Sequence, residues 1–523
     1  MGDASLEAHR LVARFLRHHG YSSTLEAFVL DSSNTHPRLQ SHLDRPAAAP
    51  PAEPHAHDTG EDLQDVVDEW LASRLARLKV HDTAATLREQ LDQLEYPDEG
   101  ASKVGPARTA WREASNVLTV TSAVVPRREW DSSELRFRTD HVPCILTTAV
   151  DRTLKVHSAA SFELLDSYSL PSPALSVAQH PVHEHRRFVL CATMEGSLLV
   201  VDLVSREVKA RVKDHTKYIV KVAISPDGRH VATLGYDKLL TVHRLSLTSP
   251  SSSSTTTTTT ASSSSAPALL DGEPPDPLAT CPSVALTQVH RLVARSNPEA
   301  AVWLPDSAEL VWSARDDHLL HYLRVPGSGS GAGEEEEGGR GGEWTESSVN
   351  LNPNGDAFVS FSILSITLHP LLPLLSLQTS TPSARLLLYP FHSSTRLVTL
   401  HTTAAQSDYF SPRHRWLPDG SAVVVNSEDG VVRVVDLRGN VRVHEGAHGS
   451  AAPREGGGDG EGEGEGRGGE LRSERARLRR EADRGSSVVR DVEVLVDEED
   501  RAGRPRRWRI VSCGFDKTVK VIG

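Results

Sequence analysis

The residues best placed to do chemistry in this chain are a histidine cluster and a recurring set of acids. His180, His183 and His185 in HPVHEHRR have a spacing that could bind a metal ion. They fall in a predicted turn between two strands, and no nearby cysteine or ordered carboxylate pair supplies further ligands. A solvated, charged turn is therefore the expectation, and His18 and His19 read the same way. The acids Asp151, Glu195, Asp237, Asp317, Asp429 and Asp516 each lie in a tight turn between strand-like runs. Two converging carboxylates could perform general acid/base work. Spread one to a repeat, these read as structural. GSGSGAGEEEEGGRGGE (327–343) and EGGGDGEGEGEGRGGE (455–470) neither follow an apolar strand nor open an amphipathic helix, so they are not phosphate loops. No catalytic residue, metal or cofactor is expected.

The elements that carry the acids repeat. AVDRTLKV, MEGSLLVV, YDKLLTVH, DDHLLHYL, EDGVVRVV and FDKTVKVI each run from a strand through an acidic turn to an alternating strand. Successive acids are 44, 42, 80, 112 and 87 residues apart. The first two spacings match the ~40 to 45 residues of a four-stranded propeller blade. Removing low-complexity insertions brings the 80 and the 87 close to it. The 112 accommodates a degenerate unit, SILSITLHPLLPLLSLQTSTPSARLLLYPF, whose turn has lost its acid. Seven units result. One such sheet cannot bury its faces alone, whereas seven arranged radially cover one another and leave only short edges. The expected fold is mainly β, a seven-bladed β-propeller with a small α-helical N-terminal region.

Composition agrees. Over 523 residues the formal charge is −13, which argues against a polyanion-binding protein, so no nucleic acid partner is expected. Four cysteines, Cys144, Cys191, Cys281 and Cys513, lack CxxC pairing, which fits an intracellular, cytoplasmic or nuclear protein. Polar residues at the N-terminus replace the apolar run of a secretory signal. The most apolar stretch, from Ala357, holds His369, Pro370 and Pro373, and reads as two strands rather than a membrane span. The organisation is helices at 5–35, a linker at 36–60, a helical segment at 61–97 and the propeller at 115–523. Low-complexity insertions interrupt the propeller at 248–280, 326–345 and 446–486. The last unit ends after its third strand, and VLTVTSAVV (117–125) is strand-like without a partner of its own. This segment is expected to complete the final blade and tie the ends together.

The β region resembles the WD-repeat family. In its third unit Asp214 and His215 stand where the family has Gly-His, AISPDGRHVAT follows, and Asp237 is the structural aspartate. The resemblance implies a hydrogen-bond network of His215, Thr233 and Asp237 within one blade. The terminal Trp-Asp pair keeps only its acid, at Val201-Asp202 and Val435-Asp436. Asp436 and Arg438 also occupy the place of the Asp-x-Arg box of ubiquitin-ligase substrate receptors.

At the N-terminus Ala8, Leu11, Val12, Phe15 and Leu16 recur at helical spacing, Gly20 ends the helix, and Ser23 with Glu26 forms a capping box. Leu25 and Phe28 lie on the apolar face of a second helix. Two such helices are marginal alone. The segment resembles the LisH motif at Leu11, Val12, Phe15, Leu16, Gly20, Tyr21, Thr24, Ala27 and Phe28, which implies homodimerisation through Leu11, Val12, Phe15, Leu16, Tyr21, Leu25 and Phe28. An ordinary helical hairpin docked on the propeller is the alternative. Further on, Leu63, Val67, Trp70, Leu71, Leu75 and Leu78 mark one helix face and Leu87, Leu91 and Leu94 another. The expected protein is a non-enzymatic, dimerising scaffold that binds proteins or peptides through its propeller, away from membranes. A ubiquitin-ligase subunit is the first alternative, and an enzyme with a site in the propeller channel the second.

Overall fold

The computed structural model describes residues 84–96, 107–131, 136–248, 282–327, 343–352, 361–381, 384–407, 410–444, 447–448, 488–499 and 505–523. The chain divides into two compact units, Met1–Leu87 and Arg88–Gly523. Of the first, residues 84–87 are described, and they are helical.

Among the described residues the second unit contains seven four-stranded antiparallel sheets. Blades one to six span 117–169, 174–212, 219–293, 298–350, 363–401 and 414–444, each built from four consecutive strands. The degenerate unit is blade five, and its strands Ile363–Leu368, Leu374–Thr379, Arg385–Pro390 and Val398–His401 form a complete sheet without the acidic turn.

Sequence dictates which strands lie where. The second and third strands of blade two, FVLCAT at Phe188–Thr193 and LLVVD at Leu198–Asp202, are buried at every position. Such short continuous apolar runs suit strands covered on both faces, and neighbouring blades supply the cover. The outer strand Glu207–Val212 is mostly exposed or half-buried, and it is correspondingly charged. Apolar clusters fill the wedges between blades. One joins Val189, Cys191 and Leu199 of blade two to Leu146 and Val156 of blade one, and another joins Ala232 and Leu240 of blade three to Trp303 and Trp312 of blade four. At about 25 cal/mol per Å² of apolar surface, these wedges supply the main drive for ring formation.

The first strands, Val117–Asp131, Ala174–Gln179, Ile219–Ile224, Pro298–Trp303, Ile363–Leu368, His414–Trp416 and Val489–Glu499, touch one another in succession, and the last touches the first. The ring is closed around a central lumen.

Closure differs from the sequence expectation in the strand used. Blade seven takes Val489–Glu499, Pro505–Gly514 and Thr518–Ile522 from the C-terminus and Arg108–Arg112 as its outer strand, with Arg108 opposite Val521 and Arg112 opposite Thr518. Residues 117–125 instead lie in the inner strand of blade one, paired with Arg136–Ala149. That run is apolar because it is an inner strand. The closing strand RTAWR is an edge with exposed or half-buried side chains and so carries no apolar signature. Its Trp111 stacks on His157 of blade one, ring centroids 3.9 Å apart. An apolar cluster of Val117 and Ile145 with Val511, Val519 and Val521 fills the seam beneath.

Other boundaries shift accordingly. The ring opens at Arg108 rather than 115, Thr345 already belongs to the strand Thr345–Asn350, and Thr248 ends the strand Leu239–Thr248. His448, inside the expected insertion at 446–486, is buried and hydrogen-bonded. Within the expected helical segment, residues 84–92 are helical and 93–96 are not. The segments 5–35, 36–60 and 61–83 lie outside the described residues. Among the described residues no helix is long and apolar enough to cross a membrane.

Candidate functional site

One face of the ring gathers the acidic turns and the mouth of the lumen. Ile219 at the start of an inner strand pairs with Gly235 at the end of the next, and Pro298 with Ala314 and Val489 with Gly514 do the same. The first residues of inner strands therefore lie beside the turns that connect second and third strands. All six acids occupy those turns.

Each aspartate ties its own turn. Asp151, Asp237, Asp317, Asp429 and Asp516 accept the backbone N–H two residues ahead, at 3.1, 3.3, 2.9, 3.1 and 3.0 Å. This is the local bond that makes Asp favourable in turns. Glu195, one methylene longer, instead accepts Arg211 of the outer strand at 2.6 Å.

In blade three His215 Nδ1 lies 3.0 Å from Asp237 Oδ1, and its Nε2 lies 2.9 Å from Thr233 Oγ1. Burial opposes ionisation of Asp237, but hydrogen bonds from His215 and from the N–H groups of Thr216 and Leu239 outweigh it and hold its pKa below the usual carboxylate range. A second such network, absent from the sequence expectations, occupies blade seven. His448 bridges Asp516 and Ser512, at 2.9 Å each. A signal for it exists in the sequence. Gly-aromatic-Asp occurs at Gly235-Tyr236-Asp237 and again at Gly514-Phe515-Asp516. A Cβ at Gly235 would collide with His215 Nδ1, and one at Gly514 would lie 2.6 Å from His448 Nδ1. Glycine marks the place where the ring of a histidine crosses the strand.

Inside the lumen, charged residues from four blades face one another. They are Lys221 of blade three, Glu299 of blade four, Arg413 and Arg415 in and beside the inner strand of blade six, and Asp491 and Glu493 of blade seven. The carboxylates are engaged. Asp491 accepts the N–H groups of Val120 and Val492 at 3.3 and 3.0 Å. Glu493 pairs with Arg415 at 3.3 Å, and Glu299 accepts Arg315 at 2.6 Å and the Tyr236 hydroxyl at 2.7 Å. Among the described residues, Lys221 and Arg413 have no hydrogen-bonded acceptor for their side chains and no ion pair. Burial, reinforced by Arg413 and Arg415, lowers the Lys221 pKa to about 7 against the opposing pull of Asp491 and Glu493. Burial likewise lowers Arg413 to about 10. Neighbouring His414 is buried and held neutral, its pKa lowered to about 3, with Nε2 2.8 Å from both Thr367 Oγ1 and Ser376 Oγ.

A groove of about 790 Å³ also opens between blades three and four, lined by Leu292, Arg295, Trp312, His318, His321 and Glu346. Trp312 stacks on His321 at 4.2 Å, and His321 Nε2 lies 3.0 Å from Asp317 Oδ2.

The remaining sequence candidates are dispersed. His180 is buried and neutral, its pKa lowered to about 4 chiefly by burial, with His185 edge-on at 5.1 Å. His183 packs on His141 at 4.0 Å. Both flanking histidines belong to the short 3-10 turn His183–His185. Among the described residues no cluster of His, Cys, Asp and Glu could hold a metal ion. Asp436 accepts the N–H groups of Arg438 and Asn440 at 3.0 and 2.8 Å, closing its own turn. Arg438 pairs with Glu95 at 2.7 Å, both exposed. Beside it Arg442 lies 3.9 Å over the Tyr96 ring, so residues 94–96 rest on this turn of blade six. Leu11, Val12, Phe15, Leu16, Tyr21, Leu25 and Phe28 lie outside the described residues.

Residues 206–243 match the WD40 family model, described as WD domain, G-beta repeat. The match runs from the outer strand of blade two through the third strand of blade three. No curated protein matches the chain. The chain thus carries a WD40 repeat in a seven-bladed propeller, a fold typical of protein-interaction scaffolds.

Proposed function

We propose that this protein is a non-enzymatic interaction scaffold, with proteins or peptides docking on the propeller and the helices at 5–35 joining two chains. The observation that supports partner binding most directly is the lumen mouth, where fixed charges from four blades converge on a rigid closed ring. The strands fix the backbone positions of these groups, so no backbone ordering is needed on binding. The pairing of chains rests on the apolar helix stripes carrying Phe15, Leu16 and Phe28. Two rings in one assembly raise the effective concentration at a repeated target. Buried, unpaired Cys144, Cys191 and Cys513 are in keeping with a reducing compartment.

Substituting Phe15→Asp and Leu16→Asp tests the dimer. Light scattering should report monomers with an unchanged β-sheet circular dichroism spectrum, and a persistent dimer defeats the assignment. Affinity purification with the full chain and with this variant should recover the same partners, more weakly from the variant. Failure of the folded ring to capture any partner removes the scaffold reading.

A further inference from the structure

We propose that the lumen is an oxyanion site, in which a phosphate or carboxylate group bridges Lys221 and Arg413. The assignment rests on the lumen being a ligand site, as proposed above, but not on the ligand being a protein.

Topology supplies the first reason. Lys221 belongs to blade three and Arg413 adjoins the inner strand of blade six, which are as far apart as two blades of a closed ring of seven can be. Their interaction therefore crosses the lumen. The second reason is that, among the described residues, the acids that act on these two cations already accept hydrogen bonds elsewhere. Asp491 is taken by two backbone N–H groups, Glu493 by Arg415, and Glu299 by Arg315 and Tyr236. Lys221 and Arg413 are left as half-buried cations without a hydrogen-bonded acceptor among the described residues; they repel each other, and Asp491 attracts both through space only. Cations drawn partly out of water are normally paired, because an unpaired one gives up hydration with no acceptor in return. An oxyanion with two or more acceptor oxygens satisfies both. The guanidinium fork offers two parallel donors and the ammonium a point charge, a pairing that suits phosphate and carboxylate alike.

Such an oxyanion can arrive free or carried on a peptide. Both sources are tested on the full chain at fixed ionic strength. The first probe is inorganic phosphate, with chloride as reference. The second is a hexapeptide bearing one phosphoserine, with its serine counterpart as reference. Binding is read by calorimetry, and occupancy by the rate at which an amine-acylating reagent labels Lys221, quantified by mass spectrometry. Phosphate or the phosphopeptide should slow labelling of Lys221 and leave the exposed Lys213 unaffected. Lys221→Met and Arg413→Gln should each weaken the binding about tenfold or more, as expected for loss of a charged hydrogen bond. The labelling arm uses the unaltered protein, so it decides the matter even if a variant fails to fold.

Protection by inorganic phosphate alone supports a free anion, and protection only by the phosphopeptide supports a chain-borne one. Unchanged labelling with both probes overturns the proposal, as does binding that both variants keep. A ring that still captures partners while Lys221 stays unprotected loses the oxyanion site and keeps the scaffold reading. Protection of Lys221 without partner capture does the reverse.

Discussion

His448 Nδ1 lies 2.9 Å from Asp516 Oδ1 across 68 residues of chain, the bond that His215 makes to Asp237 across 22. In each case the histidine precedes the inner strand and the aspartate sits in the turn beside it. The imidazole thus ties the entrance of a blade to its own turn. Its second nitrogen reaches a hydroxyl of the second strand, Ser512 in blade seven and Thr233 in blade three. Blade seven needs the tie more, because its strands come from both ends of the propeller.

Replacing His448 by Ala leaves Asp516, among the described residues, with its Thr518 contacts. The expected loss is about 1 to 3 kcal/mol, the cost of stranding buried polar partners. Asp516→Ala should cost a similar amount. The double variant should cost less than the sum, because the two act through one bond. Urea unfolding of the three variants measures this, and strict additivity contradicts the network.

Closure makes a separate prediction. Excising residues 108–112 removes the outer strand of blade seven and the Trp111 stack on His157, and exposes the edge Thr518–Ile522. An open edge also invites pairing with other chains. The excised protein should melt without cooperativity and aggregate, whereas excision of residues 101–105, which lie before the strand, should not alter melting. Calorimetry with light scattering distinguishes the two.

The repeat was legible because its signal is local. An acid in a tight turn followed by an alternating strand is visible in any window of about eight residues, and blade three shows its His215 only a short way upstream. Other parts were hidden for physical reasons. His448 is parted from its blade by the stretch 449–487, so spacing from Asp516 fails, although Gly514 two residues before the aspartate points to it. The closing strand is a solvated edge whose side chains need no apolar pattern, while the inner strand 117–125 advertised itself by being apolar. The lumen charges are the extreme case. Lys221, Arg413 and Asp491 come together only through ring closure, and no property of any local window reports that.

Acid should weaken the fold through its buried histidines. In His157, His180 and His369 burial lowers the pKa to about 4, and in His414 to about 3. Unfolded, each titrates near ~6.5 and so binds more protons than the native state between those values. Stability therefore rises with pH across roughly 4 to 6.5, by up to about 1.4 kcal/mol per pH unit for each histidine, and is complete above that window. Lowered carboxylates such as Asp237 and Asp516 add a loss of the same sign at still lower pH. Urea midpoints should fall from pH 7 to pH 5. In His369→Gln, which keeps a polar group facing the Gly420 carbonyl that His369 Nε2 meets at 3.1 Å, the fall should be shallower. An unchanged slope would show that His369 titrates normally in the folded protein.

Arg187 and Asp202 of blade two form a pair with two hydrogen bonds, at 2.9 and 2.8 Å, and side chains 4% and 0% exposed. Burial opposes ionisation of Asp202, and the bonds from Arg187, the Val204 N–H and the Ser205 hydroxyl overcome it, so its pKa is lowered. Replacing Arg187 by Met removes the positive partner and leaves a carboxylate enclosed in protein. Breaking a buried pair from one side costs about 3 to 5 kcal/mol. Adding Asp202→Asn removes the stranded charge yet retains an oxygen to accept the Val204 N–H, so the double variant should recover a substantial part of the loss. Without Arg187 the burial of Asp202 goes largely uncompensated and its pKa must rise, so Arg187→Met should be less damaging at pH 5, where the carboxyl can take up a proton, than at pH 7.5. Equal damage at both values, with no recovery in the double variant, would mean that Arg187 acts by packing against Phe188, whose ring lies 5.7 Å from the guanidinium carbon, rather than by charge.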